Sequence, residues 1–142
     1  MVAKQLSVFI ENRQGRLGEV LNVLKANGVN ILSLSLADTT EYGLLRLIVN
    51  NPELGKEKLA NDGFSTMLTD VLVLKITHQA GSLQTLLKVL SDKNVNIEYM
   101  YGLSIDGDEA SVVLKTSDIA KAEAVLEEQG VKMLSSDEIK AL

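Results

Sequence analysis

The chain has 142 residues, 46% apolar, 23% charged and 4% aromatic, with a formal charge of −5, a globular composition that is neither disordered nor fibrous. Without cysteine there is no disulfide, thiolate nucleophile or cysteine metal site, and an acidic chain opposes a nucleic-acid phosphate backbone as partner. No apolar run approaches the roughly 18 residues of a membrane helix, and Met1-Val2-Ala3-Lys4-Gln5-Leu6 lacks a secretory apolar core, so a cytoplasmic protein without a membrane partner is expected.

In chain order, Leu6, Val8 and Ile10 alternate with Ser7, Phe9 and Glu11, the period of a strand. Leu17, Val20, Leu21 and Leu24 then recur at helical spacing, predicting a helix from about Gly15 to Asn27, with Gly28 suited to a left-handed C-terminal cap. A second strand is expected over residues 31–36 and a third over 44–49, joined by a turn around residues 40–43. Asn51-Pro52 opens a second helix with a capping residue and a first-turn proline. The stretch 64–76 contains no Gly or Pro, so a fourth strand leads almost directly into the next one.

The second half of the chain repeats the pattern of the first. Gly15-Arg16-Leu17 matches Gly81-Ser82-Leu83, Val29-Asn30-Ile31 matches Val95-Asn96-Ile97, and Met67-Leu68 matches Met133-Leu134, each at an offset of 66, which requires no insertion between the copies. Leu83, Leu86, Leu87 and Leu90 repeat the helical stripe, and Asn94 stands where the first copy has Gly28. Asparagine tolerates the left-handed conformation next best after glycine. Strands are expected over 97–104 and 110–115, turning at Asp106-Gly107, and Ser117-Asp118 opens the last helix. The reading is α+β: two ferredoxin-like βαββαβ domains, residues 1–69 and 70–142, each an antiparallel sheet with its helices on one face. Apolar residues of both parities in 44–49 and 71–74 suggest that part of the second sheet face is also covered.

Catalysis is not expected. His78 is the single histidine, which excludes a cysteine–histidine pair and a multi-histidine metal site, and no Gly-x-Ser-x-Gly elbow or phosphate loop occurs. Asp106, Asp108 and Glu109 read as a solvated turn rather than a metal site. The third strands carry no aromatic residue, unlike an RNA-binding sheet of this topology. Tyr99 and Tyr101 share one strand face and read as interface packing. No metal or cofactor is expected.

The repeated crossings from strand to helix carry more information. Each puts a glycine at a helix start, where unpaired N–H groups and the helix dipole suit a carboxylate. Asn30 and Asn96 begin the second strands and offer both donor and acceptor. Donors for a carboxylate and acceptors for an ammonium together match a free amino acid. The same residues also fit a structural role: glycines that permit a tight crossing, asparagines that satisfy loop backbone, and Arg13 and Arg16 as solvated loop charges.

The paired motifs resemble the ACT domain family, whose pattern is Asp/Asn-x-Pro-Gly-x-Leu opening the first helix and Gly-Val-Asn-Ile opening the second strand. The first copy reads Asn12-Arg13-Gln14-Gly15-Arg16-Leu17 and Gly28-Val29-Asn30-Ile31; the second reads His78-Gln79-Ala80-Gly81-Ser82-Leu83 and Asn94-Val95-Asn96-Ile97. The resemblance leaves residues 136–142 unexplained. It implies a stand-alone tandem ACT protein that regulates through ligand-dependent domain pairing or oligomerisation, with a free amino acid as effector. The ligand would touch Asn12, Arg13, Gln14, Gly15, Arg16, Leu17, Asn30 and Ile31 in one copy. In the other it would touch His78, Gln79, Ala80, Gly81, Ser82, Leu83, Asn96 and Ile97. A homodimer and a separate metabolic enzyme as target are the implied partners; the alternative is a subunit that docks on an enzyme without its own small ligand. Two departures stand out: Gln14 and Ala80 replace the usual proline, and His78 replaces the usual Asp/Asn.

Overall fold

A computed structural model describes residues 1–38 and 41–142. The elements are β1 (Ala3–Glu11), α1 (Arg16–Ala26), β2 (Ile31–Asp38), β3 (Tyr42–Val49), α2 (Pro52–Asn61), β4 (Ser65–Thr77), α3 (Ser82–Asp92), β5 (Ile97–Asp106), β6 (Glu109–Thr116), α4 (Ile119–Glu128), β7 (Lys132–Met133) and α5 (Ser136–Lys140). Two compact units result, one of Lys4–Thr69 with Ile139–Leu142, the other of Asp70–Glu138 with Met1–Ala3.

In the first unit β3 lies between β2 and β1, antiparallel to both, with Leu47 opposite Leu6 on one side and Leu34 on the other; β4 comes after β1 in the strand order. The alternation in β1 puts Leu6, Val8 and Ile10 on one sheet face. There they meet Val20 and Leu24 of α1, Leu45 and Leu47 of β3, Leu59 of α2 and Phe64. Leu24 is fully buried, so its truncation to alanine costs about 2–5 kcal/mol. A Cβ on Gly55 would stand 3.0 Å from Leu6 Cδ2, a measure of how closely α2 approaches the sheet.

The second unit repeats this plan in the order β7-β4-β6-β5, with Leu72, Leu74, Leu86, Leu90, Leu114 and Leu126 at its centre. Both units are ferredoxin-like. The fourth strand of the second copy is reduced to two residues, Leu74 opposite Met133 and Lys75 opposite Lys132. The C-terminal tail, which neither the repeat nor the motifs assign, forms α5 and buries Ile139. Val71, Leu72, Val73 and Leu74 are all fully buried, so both faces of β4 are covered there, as the doubled apolar parity implies.

Local expectations fare well at the helix ends. Gly28 has φ +68° and Asn94 has φ +61°, so the asparagine does take the left-handed position. The second hairpin turns one residue later than expected, over Gly107-Asp108, with Asp106 paired to Glu109 and Gly107 at φ +60°. The turn expected around residues 40–43 falls partly outside the described residues, and Tyr42 and Gly43 already belong to β3.

The uninterrupted offset of 66 is corrected by the strand registers. It holds through β1, α1 and the start of β2, but Leu6 pairs with Leu47 whereas Leu72 pairs with Leu114, an offset of 67 on the second strand of the pair. The extra residue is Leu103. In β2 the register runs without a break through Leu36 opposite Leu45 and Ala37 opposite Leu44. In β5 it shifts between Gly102 and Ser104, which bulges Leu103 out of the ladder. From there on the copies align at 67: Phe64 N–H donates to Leu59 O and Val131 N–H to Leu126 O, both at 3.0 Å. The apparent match of Met67-Leu68 with Met133-Leu134 is therefore one residue out of structural register, and exposed Met67 corresponds to buried Leu134.

Candidate functional site

The two crossings have nearly identical backbones. Gly15 has φ +88° and ψ −13°, Gly81 φ +87° and ψ −11°, a left-handed geometry that a Cβ makes costly. Arg16 N–H donates to Arg13 O at 3.4 Å and Glu19 N–H to Gly15 O at 3.0 Å; Ser82 N–H donates to Gln79 O at 3.2 Å and Thr85 N–H to Gly81 O at 3.0 Å. Between these bonds lie the amides of Leu17 and Gly18 in α1 and of Leu83 and Gln84 in α3, first-turn donors without an intrahelical acceptor. No side chain caps either helix.

The N-termini of α2 and α4 are closed by the chain itself. Asn51 Oδ1 accepts from Leu54 N–H at 3.2 Å, and Asp118 Oδ1 accepts from Lys121 N–H at 3.1 Å. Open N-termini thus coincide with the repeated glycine crossings, and capped ones with the remaining helices.

Around the glycines, Asn12, Arg13, Gln14, His78, Gln79 and Ala80 are exposed. Asn12 N–H donates to Glu41 O, Arg13 Nε to Glu11 Oε2 at 3.0 Å, and His78 N–H to Asp108 O. Leu17 and Leu83 are half-buried under the open amides. Arg16 is not the solvated charge its sequence context suggests. Its side chain is 16% exposed, donates to Glu19 Oε2 at 2.6 Å, lies 3.9 Å from Glu11, and stacks over Phe64. Ser82, its counterpart, is short and leaves that space clear.

Asn30 and Asn96 sit at the far end of the helices. An 11-residue helix rising about 1.5 Å per residue separates Gly15 from Asn30 by about 16 Å, so one unit does not bring the glycine crossing and its asparagine together. Asn30 N–H donates to Asn50 Oδ1 at 2.8 Å, and its carbonyl accepts from Asn50 N–H at 3.1 Å. Asn96 O accepts from Ser117 N–H at 3.0 Å. The backbone of both is engaged while both residues stay exposed, and Ile31 and Ile97 beside them pack on the cores. Asn30 edges a shallow recess of about 430 Å³ with Leu21 and Lys25 of α1. Counting from the N-cap would have added the third-position amides of Gly18 and Gln84 to the sequence prediction; the stacking of Arg16 on Phe64 joins residues 48 positions apart and left no local signal.

Among the described residues no group of His, Asp or Glu could hold a metal ion, and no helix is long and apolar enough to cross a membrane. No curated protein matches the chain. Among solved structures, the crystal structure of protein BT0572 from Bacteroides thetaiotaomicron is similar over 100% of this chain and 98% of its own, with 37% identity and a TM-score of 0.95. The ligand-free regulatory subunit of aspartate kinase from Thermus thermophilus shares the fold at 18% identity and TM-score 0.63, covering 89% of this chain and 93% of its own. The corresponding subunit from Thermus flavus does so at 17% identity and TM-score 0.61, covering 89% and 92%. Residues 1–142 match the ACT domain pair family. ACT domains are non-catalytic regulatory modules. The chain therefore belongs to the ACT domain pair family and is a regulatory, ligand-sensing protein.

Proposed function

We propose that the effector is a free amino acid, that the working form is a homodimer, and that the output passes to a separate metabolic enzyme. One observation carries the effector: α1 and α3 present two uncapped amides each at a glycine crossing, while α2 and α4 are capped by Asn51 and Asp118. Uncapped first-turn amides at the positive end of a helix dipole favour a carboxylate. The ammonium acceptor then comes from elsewhere, because Asn30 and Asn96 stand about 16 Å away within their own units. A second copy that brings its exposed asparagine to this crossing completes the zwitterion's partners. Arg13, Gln14 and Leu17, with Gln79, Ala80 and Leu83, form the walls; Arg16 contributes by holding the first turn of α1. Binding that completes itself only across two copies favours the dimer, which is how occupancy becomes a signal.

The regulatory subunits of aspartate kinase that share this fold support an enzyme of metabolism as the target. A thermal-shift screen of the twenty common amino acids, paired with sedimentation, tests the proposal. Saturation at about a hundredfold above Kd stabilises by about 2.7 kcal/mol, or about 5–10 °C at this size. The responding amino acid should also raise the dimer fraction. A flat screen leaves the docking subunit without a small ligand as the better account.

A further inference from the structure

The second unit contains a cleft of about 500 Å³ whose counterpart in the first unit is filled. It opens where the chain leaves α4: β7 begins at Lys132 after Gly130 at φ +72°, just as β4 begins at Ser65 after Gly63 at φ +89° in the first unit, so the side chains and not the backbone turn set the two units apart. Val73 O accepts from Leu134 N–H, so odd-numbered residues of β4 direct their backbone groups to that edge. Thr77 therefore turns its amide toward the gap, with the Gly130 turn opposite instead of a strand.

In the first unit the same place is plugged. Arg16 stacks on Phe64 at 4.2 Å and is flanked by Glu19 and Glu11. By the strand registers, Arg16 corresponds to Ser82, Phe64 to Val131, Glu19 to Thr85 and Glu11 to Thr77. Every bulky or charged member of the plug is replaced by a small one, and both carboxylates become hydroxyls. Lys132 takes the place of Ser65 on the opposite wall. Cleft walls that held an internal cation in one copy now favour an anion in the other. Lys75 is paired with Glu109 at 3.3 Å, whereas Lys132 has no ion-pair partner among the described residues. Leu86, Val89 and Val131 make an apolar floor.

We infer that this cleft binds a small organic carboxylate with a short branched hydrocarbon body. Its carboxylate meets Lys132 and the Thr77 amide, its hydrocarbon covers Leu86, Val89 and Val131, and the Thr85 hydroxyl, which donates to Gly81 O at 3.0 Å, only borders the cleft. An ammonium group would have to share Glu109, the one carboxylate lining the cleft, with Lys75, which lies 3.3 Å from its Oε2. The ligand class is thus distinct from the zwitterion proposed for the glycine crossings.

The test is amide NMR of the full chain titrated with 3-methyl-2-oxobutanoate, isobutyrate, valine and inorganic phosphate. Saturable shifts at Thr77, Thr85, Gln129 and Lys132 with the first two are expected, with at least tenfold weaker response to valine and phosphate. Thr85→Glu/Val131→Phe, which rebuilds the first unit's wall, should abolish these shifts, and the exposed-site change Lys132→Ala should weaken them at least tenfold. The inference is overturned by no saturable shift at these amides, by equal response to phosphate or valine, or by shifts that saturate with undiminished affinity in Lys132→Ala. Shifts confined to Gly18, Leu83 and Gln84 would overturn it while leaving the amino-acid proposal standing.

Discussion

The guanidinium carbon of Arg16 lies 4.2 Å from the centroid of the Phe64 ring, tying the first turn of α1 to the entry of β4. A partly buried cation over an aromatic face contributes about 0.5–1 kcal/mol beyond simple packing. A double-mutant cycle with Arg16→Met and Phe64→Leu, read by urea denaturation, should return a coupling of that size. Coupling indistinguishable from zero would show that the stack is only adjacency. Phe64→Ala, which also empties a core position, should cost about 3–5 kcal/mol.

Two glycines three residues apart should respond with opposite signs. Neither Gly15 nor Gly18 has an atom within 4 Å of a built Cβ, so backbone conformation alone decides. Gly15→Ala forces a left-handed φ on alanine and should destabilise by about 1–2 kcal/mol. Gly18→Ala, inside α1 with ordinary helical geometry, should stabilise by about 0.5–1 kcal/mol. Thermal melts of the pair check both signs, and two shifts of equal sign would contradict the assigned backbone.

Helix capping gives a third prediction. Asn51→Ala and Asp118→Ala each remove the acceptor of a first-turn amide and should each cost about 1 kcal/mol. Addition of the responding amino acid should not rescue either, because their helices are not those of the glycine crossings. Restoration of either variant to wild-type midpoint beyond the shift seen in wild type would place the ligand at the wrong helices.

Deleting Leu103 should be tolerated. The first copy lacks its counterpart and runs straight from Leu36 to Ala37, so the deletion restores an uninterrupted ladder at the end of the hairpin. Circular dichroism should show a folded, cooperatively melting protein. Deleting fully buried Val113 shifts β6 by one residue and turns its core face outward, so that variant should not fold. Loss of folding on deletion of Leu103 would mean the bulge is required by the strand pair.

Much of this architecture is legible in the chain because it rests on short-range rules. Alternation at Leu6, Val8 and Ile10, the stripes in α1 and α3, and a left-handed residue after each all depend on neighbours along the chain, so Asn94 reads as a stand-in for Gly28. Registers and distances are not legible. The inserted Leu103 shows only in cross-strand pairing, and coincidental identities at 66 such as Met67 with Met133 conceal the offset of 67. The motif places Gly15 and Asn30 in one short stretch of sequence, yet the helix between them carries the chain to the other end of the unit. The plug of Arg16 on Phe64 and its removal in the second copy depend on residues far apart in sequence.

The central claim is that open first-turn amides at the two glycine crossings hold the carboxylate of a free amino acid. Calorimetric titration of wild type against Gly18→Pro/Gln84→Pro tests it most directly, since proline in a first helical turn removes one donor N–H from each crossing. Wild type should bind the responding amino acid with measurable heat, and the folded double variant at least tenfold more weakly. Undiminished affinity in the variant, or no heat from any of the twenty amino acids with wild type, would contradict the account.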